Sequence, residues 1–234
     1  MSNRSIAVIG SPGAGSTSTA TEIALRLAQR DHRTVLLVFC DPFLPAKGYL
    51  CGRNAAQSIG GHLSQASALT EEDIYRAVFP ISDWLGVMGY NTGEHSNAYP
   101  TPSKGSIERW YSTVMQIADV VIFDVGSHVE TVLGRELMAL ATNTLTVVDA
   151  TTKSAAWYRH IGKNLRSDTL IFNNVRKGQP VDVFSDFTAS ESFTLPFSED
   201  LQSKLQSFGV FQMPTDRHYN AALEKICGHL MKGV

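Results

Sequence analysis

Cysteine is scarce, long apolar runs are missing, and charge of neither sign dominates. The three cysteines, Cys40, Cys51 and Cys227, are too scattered for a disulfide framework. No C-x-x-C pair marks a metal or redox centre, and a reducing compartment fits this usage. No window reaches about 18 uninterrupted apolar residues, and no positive leader precedes an apolar stretch. Neither export nor a membrane span is expected, so the expected address is cytoplasmic, with any presence at the inner membrane face or cell pole arising by recruitment. Charged residues make up only 18% of the chain and the net charge is -2, which gives no global reason to expect nucleic acid as a partner. At 234 residues and 43% hydrophobic, the chain can fill one sizeable core. A single domain over 1-234 is therefore expected.

What the sequence does contain is alternation. Ile6 to Ile9, Thr34 to Phe39, Val120 to Phe123, Thr144 to Val148 and Thr169 to Phe172 are β-branched or apolar throughout, as strands buried on both faces should be. Trp84 to Met88 is a weaker strand. Between the strands, Thr19 to Arg30 carries Ile23, Ala24 and Leu27 at helical spacing, and Thr70-Glu71-Glu72-Asp73 reads as the capped start of a helix through Val78. Tyr90 to Gly105 is rich in Asn, Pro, Ser and Gly and is expected as a surface loop. The pattern predicts an α/β fold, a doubly wound and mostly parallel sheet between two helix layers.

Between the first strand and the first helix lies Gly10-Ser11-Pro12-Gly13-Ala14-Gly15-Ser16-Thr17, followed by Ser18. Glycines let the backbone curl so that successive N–H groups point inward, and a helix N-terminus adds partial positive charge, so the string suits an anion such as phosphate. It matches G-x-x-x-x-G-[K]-[ST] except that Ser16 stands where the lysine belongs. The Thr17 hydroxyl remains available to Mg²⁺. A tight turn alone would also fit this string. Two acids close strands nearby, Asp41 after Leu36 to Cys40 and Asp124 after Val120 to Phe123. In an open parallel sheet both would face the crevice outside the strands' carboxyl ends. Asp124 is suited to hold Mg²⁺, and Asp41 to join the metal shell or polarise an attacking water; each also fits a helix cap or turn acid.

Together with Leu170-Ile171-Phe172-Asn173-Asn174-Val175, these motifs resemble the MinD/ParA ATPases over most of the chain, in particular the TadZ and CpaE type that positions Flp/Tad pilus machinery. The resemblance implies a P-loop sheet of roughly seven to eight strands. It also implies an ATP-dependent sandwich homodimer, ATP or ADP with Mg²⁺, adenine against Asn173, and a short stretch beside the base at Leu195-Pro196-Phe197. In that family one lysine near the start of the loop reaches the partner's nucleotide and a second serves its own subunit. Here Ser11 and Ser16 stand at those positions, and Phe39 replaces the first acid of the D-x-D arrangement. Without those charges, hydrolysis is expected to be weak or absent, because electrostatic stabilisation carries most of the catalysis in such sites.

The implied role is a positioning or scaffold factor for pilus or secretion components. The alternative is an active ATPase of DNA partition or plasmid transfer, in which Lys47 or Lys104 replaces the missing lysines. Arg159, Lys163 and Arg166, at i, i+4 and i+7, would share one helix face, which fits a solvated surface better than a DNA contact, DNA remaining the alternative. Leu223, Ile226, Cys227, Leu230 and Met231 form an apolar stripe that suits packing on the sheet. His128, shortly after Asp124, could line the site but reads first as a plain loop residue.

Overall fold

Strands without a polar face can be satisfied only if helices cover both sides of the sheet, and the chain does this. The computed structural model describes residues 3–52, 55, 57–95, 97–179, 181, 191–207 and 209–232; the remaining positions, Ser96 of the expected loop among them, lie outside the description. The strands are β1 Arg4–Gly10, β2 Val35–Phe39, β3 Phe79–Ser82, β4 Leu85–Gly89, β5 Val120–Gly126, β6 Asn143–Asp149, β7 Thr169–Val175 and β8 Glu191–Pro196. They form an 8-stranded sheet in the order β3-β4-β2-β5-β1-β6-β7-β8. All neighbours are parallel except β3 and β4. β1 lies between β5 and β6, pairing Ile6 with Ile122 and with Asn143.

The helices are α1 Ser16–Asp31, α2 Ala46–Cys51, α3 Ile59–Ser64, α4 Glu71–Ala77, α5 Lys104–Val114, α6 Val132–Leu140, α7 Thr152–His160, α8 Glu199–Gln206 and α9 Arg217–Leu230. Because side chains alternate along a strand, β1 serves two cores at once. Ile6 and Val8 pack with Ile23 and Leu27 of α1 and with Leu223 and Ile226 of α9. Ala7 and Ile9 pack with Ile74 of α4, Trp110 of α5 and Leu137 of α6. The α9 stripe thus covers the sheet: Leu223, Ile226, Cys227 and Leu230 are buried, while Met231 follows the helix end.

The five strands expected from the sequence are all present, and most run a residue or more further than the apolar run that announced them. β3 and β8 went unread for a physical reason. Both are edge strands with exposed positions, so their apolar residues alternate rather than run on, and β3 contains Pro80. β4 reads weakly because Gly86 replaces a β former; a Cβ there would meet Val78 Cγ1 at 2.5 Å. Helix α4 carries the expected capping box between Thr70 and Asp73. The expected loop over Tyr90 to Gly105 stops short, because Ser103 caps α5 by accepting from the Ser106 N–H at 3.1 Å.

One expectation fails outright. Arg159, Lys163 and Arg166 do not share a helix face, because α7 ends at His160 and Gly162–Asn164 turn as a 3-10 segment. Gly162 packs closely against the Tyr158 and Trp157 rings, where a Cβ would stand 2.7 Å from Tyr158 Cδ2. Arg166 is committed elsewhere, donating to the Ala141 and Thr142 carbonyls and pairing with Asp168 at 3.0 Å.

Candidate functional site

The loop between β1 and α1 is shaped by two left-handed glycines, Gly13 at φ 85 and Gly15 at φ 87. Gly15 is the N-cap of α1 and offers no side chain, so the first-turn N–H groups are left open. Two left-handed positions flanking Ala14 give the concave N–H arrangement that accepts anions. The Ser11 N–H donates to the Val147 carbonyl at 3.0 Å and the Ala14 N–H to the Ser11 carbonyl at 3.0 Å.

Side chains hold this loop from both flanks. Asn173 Nδ2 donates to the Ala14 carbonyl at 2.8 Å. On the other side the buried Ser11 hydroxyl hydrogen-bonds the Ser154 hydroxyl, which in turn donates to Asp149 Oδ1. Gly15 has no room for a side chain, since a Cβ there would stand 2.6 Å from Asn173 Nδ2. Gly15→Ala is therefore expected to lower the free energy of unfolding by about 1–2 kcal/mol for the left-handed backbone alone, and further for the clash. Urea unfolding of Gly15→Ala, Asn173→Ala and the double variant separates the two, because the non-additive part of the cycle reports the steric contact while Asn173→Ala alone measures the lost Ala14 bond.

Asp124 sits within β5, opposite Phe39 of β2, and is only 2% exposed. Burial pushes its carboxyl up to about 7; the neighbouring Thr17 hydroxyl and Gly126 N–H pull the other way, and Asp41 adds to the rise. Its Oδ1 has no hydrogen-bond partner among the described residues. A buried, orphaned carboxylate oxygen beside a hydroxyl is what a hard cation with oxygen ligands would complete.

Asp41 follows β2 and serves as the turn acid that the sequence offered as one of its readings. Its Oδ1 accepts from the Phe43 N–H at 2.8 Å and the Leu44 N–H at 3.1 Å, closing a turn. Its Oδ2 faces the site, 3.6 Å from His128 Nε2 and 3.6 Å from where a Cβ on Gly126 would lie. The His128 ring packs on Phe43 with centroids 4.3 Å apart, so His128 is part of this corner rather than a plain loop residue.

Beyond the loop a cavity of about 250 Å³ is lined by Gly13, Gly15, Ser18, Asn173, Asn174 and Phe197. Asn174 is itself left-handed at φ 57, within the shift of register between Phe172 and Val175 where β7 pairs with β8. Pro196 lines a neighbouring cavity of about 510 Å³, where the Arg176 guanidinium lies 3.8 Å from the Phe197 ring centroid. Phe39, in the place of an acid, is buried among the core side chains next to α1. Ser16 begins α1 and is nearly buried.

Neither lysine expected as a substitute is free for the task. Lys47 is buried and donates to Asn91 Oδ1 at 2.7 Å. Lys104 pairs with Glu136 at 3.4 Å on α6. Residues that sequence reasoning overlooked are Asp149, Ser154 and Lys153, all at the β6–α7 junction. Asp149 ends its strand as Asp124 nearly ends β5, so the same rule applied once more would have found it.

The chain matches no protein-family model, and no curated protein matches it in sequence. Solved structures do match in fold. A ParA family ATPase from Chlorobium tepidum superposes with a TM-score of 0.78 at 16% identity, covering 98% of this chain and 99% of its own. A putative plasmid partition protein from Borrelia burgdorferi bound to AMPPNP gives 0.73 at 15% identity, covering 99% and 100%. The septum site-determining protein MinD of Pyrococcus horikoshii complexed with Mg-ADP gives 0.71 at 16% identity, covering 98% and 96%. The sheet and its helix layers are therefore those of the ParA/MinD ATPases.

Proposed function

We propose that this chain is a MinD/ParA-like nucleotide-binding protein that takes ATP or ADP with Mg²⁺ at the β1–α1 loop and hydrolyses it weakly or not at all. The observation that carries the reading is the convergence of the open α1 N-terminus, the left-handed loop and the buried Asp124–Thr17 pair at one point. In this reading the loop from Gly10 to Ser18 wraps the phosphates through the N–H groups of Gly13, Gly15, Ser16, Thr17 and Ser18; Gly10 belongs to β1, the Ser11 and Ala14 N–H groups are engaged within the fold, and Pro12 has no N–H to give. Thr17 and Asp124 hold Mg²⁺, with Asp41 beside them. The metal supplies neutralisation of phosphate charge. The base lies toward Asn173, Asn174 and Phe197, near Pro196; Asn173 would meet it with its amide oxygen or with the second Nδ2 hydrogen, the first being donated to the Ala14 carbonyl.

Weak hydrolysis follows from what the serines do. Ser11 hydrogen-bonds Ser154, and neither Ser11 nor Ser16 brings positive charge to a transferring phosphoryl group. A nucleotide that persists suits a binding role: a nucleotide-face homodimer that positions protein partners, such as pilus or secretion components. The solved structures of this fold include proteins of plasmid partition and septum placement, which supports a positioning role.

The test pairs binding with turnover. Titration with a fluorescent ATP analogue in Mg²⁺ is expected to saturate, with phosphate release by the wild type at background. Ser16→Lys is expected to raise release at least about tenfold, the lower range for restoring one charge to a transition state. Wild-type turnover equal to that of the lysine variant overturns the weak-hydrolysis reading; failure to bind any adenine nucleotide overturns the site.

A further inference from the structure

A phosphate site without loop lysines still needs positive charge, because Asp41, Asp124 and Asp149 all gather at the same end of the sheet. The structure places a lysine of a different element against the loop. Lys153 Nζ stands 4.0 Å from where a Cβ on Gly13 would lie, beside the left-handed glycine of the cradle. The geometry points to Lys153, reaching in from α7, as the residue that binds the phosphates of the nucleotide in place of the lysine missing at Ser16. The inference rests on the nucleotide reading above and names the cation that reading lacks.

Its placement is built. Lys153 precedes Ser154, whose hydroxyl is bonded both to the Ser11 hydroxyl of the loop and to Asp149 Oδ1. Ser11 and Ser154 are 1% and 2% exposed, so this link is a buried tie between the loop and the first turn of α7. Thr151 caps the same turn, its hydroxyl accepting from the Ser154 N–H at 3.3 Å. The serine in the place of the family's first lysine thus anchors the element that carries a lysine of its own.

The local physics of the helix also marks Lys153 as placed against preference. It lies in the first turn of α7, where the helix dipole disfavours a cation, and no acid accompanies it there. No salt bridge among the described residues holds it. Its side chain is exposed, so the ammonium is able to turn toward an anion on the loop.

The experiment titrates wild type, Lys153→Ala and Lys153→Arg with mant-ATP, mant-ADP and mant-adenosine in Mg²⁺, with thermal unfolding of each protein alone. The expected result is an affinity loss of at least about tenfold for mant-ATP and mant-ADP in Lys153→Ala, the scale of one charge-assisted hydrogen bond. Lys153→Arg recovers most of it, mant-adenosine binds all three alike, and Lys153→Ala unfolds at the same or a higher temperature than wild type. If wild type binds mant-ATP and Lys153→Ala binds it equally well, the assignment of Lys153 falls while the nucleotide site stands. An equal loss for mant-adenosine also overturns it, since the defect would not follow the phosphates. If wild type binds none of the probes, the site reading itself falls and takes the assignment with it.

Discussion

Asp124→Asn is expected to weaken MgATP binding by at least about 100-fold and to leave binding in EDTA almost unchanged, the loss of a direct ligand exceeding the range known for groups that merely orient one. Asparagine keeps the shape and can still take the Thr17 hydroxyl bond, but it offers no charge to a cation. The same change is expected to stabilise the protein alone at neutral pH, because the native carboxylate is buried with Oδ1 unpartnered and burial has already pushed it up to about 7. Calorimetric titration with and without Mg²⁺, alongside urea unfolding, reads both effects. Undiminished MgATP affinity in the variant would remove Asp124 from the proposed metal site. A variant that is both less stable and unable to bind would show a structural residue instead.

Glu22→Gln is expected to remove a fall in stability of a few kcal/mol between acid and alkaline pH. Glu22 lies on α1, 1% exposed, with Oε2 unpartnered among the described residues. Burial raises its carboxyl to about 8 from 4.5, Lys204 and Arg26 offset part of that, and Asp200 adds to it. The cations around it are engaged by others: Lys204 donates to Asp200 Oδ2 at 2.9 Å and to the Met213 carbonyl at 2.6 Å, and Arg26 to Asn220 Oδ1 at 2.5 Å.

The folded pKa is above the unfolded one, so between pH 4.5 and about 8 the folded chain keeps a proton that the unfolded chain has lost. Stability from this group is therefore greatest below 4.5, falls by about 1.4 kcal/mol for each pH unit within that window, and levels off above about 8. Glutamine has no proton to lose, so its unfolding free energy should pull away from that of wild type as pH rises. Urea midpoints at acid, neutral and alkaline pH measure the gap; a gap that stays constant with pH would mean that Glu22 is ionised in the folded protein.

The parallel sheet was legible because each of its buried strands is apolar on both faces, a pattern that needs no partner to be recognised. The edge strands were not legible, since Phe79–Ser82 and Glu191–Pro196 bury only part of their residues and their identity depends on what they pair with. The loop and the strand-end acids could be read from spacing alone. The destinations of their side chains could not. That Ser11 would bond Ser154, and Asn173 the Ala14 carbonyl, depends on residues more than a hundred positions apart. Lys153 was overlooked for the same reason: what sets it apart is its approach to Gly13, a residue far away in sequence. The single helix expected over Arg159, Lys163 and Arg166 ends at His160, and those charges separate accordingly.

The two ties on the β1–α1 loop have a kinetic meaning. A segment clamped by Asn173 on one flank and Ser154 on the other loses its dihedral freedom when the chain folds, so a guest need not order it afterwards. Association should then proceed as one encounter with a preorganised receptor, giving a single exponential whose rate rises in proportion to concentration. Cutting either tie would introduce a slower, concentration-independent phase as the segment searches for its shape.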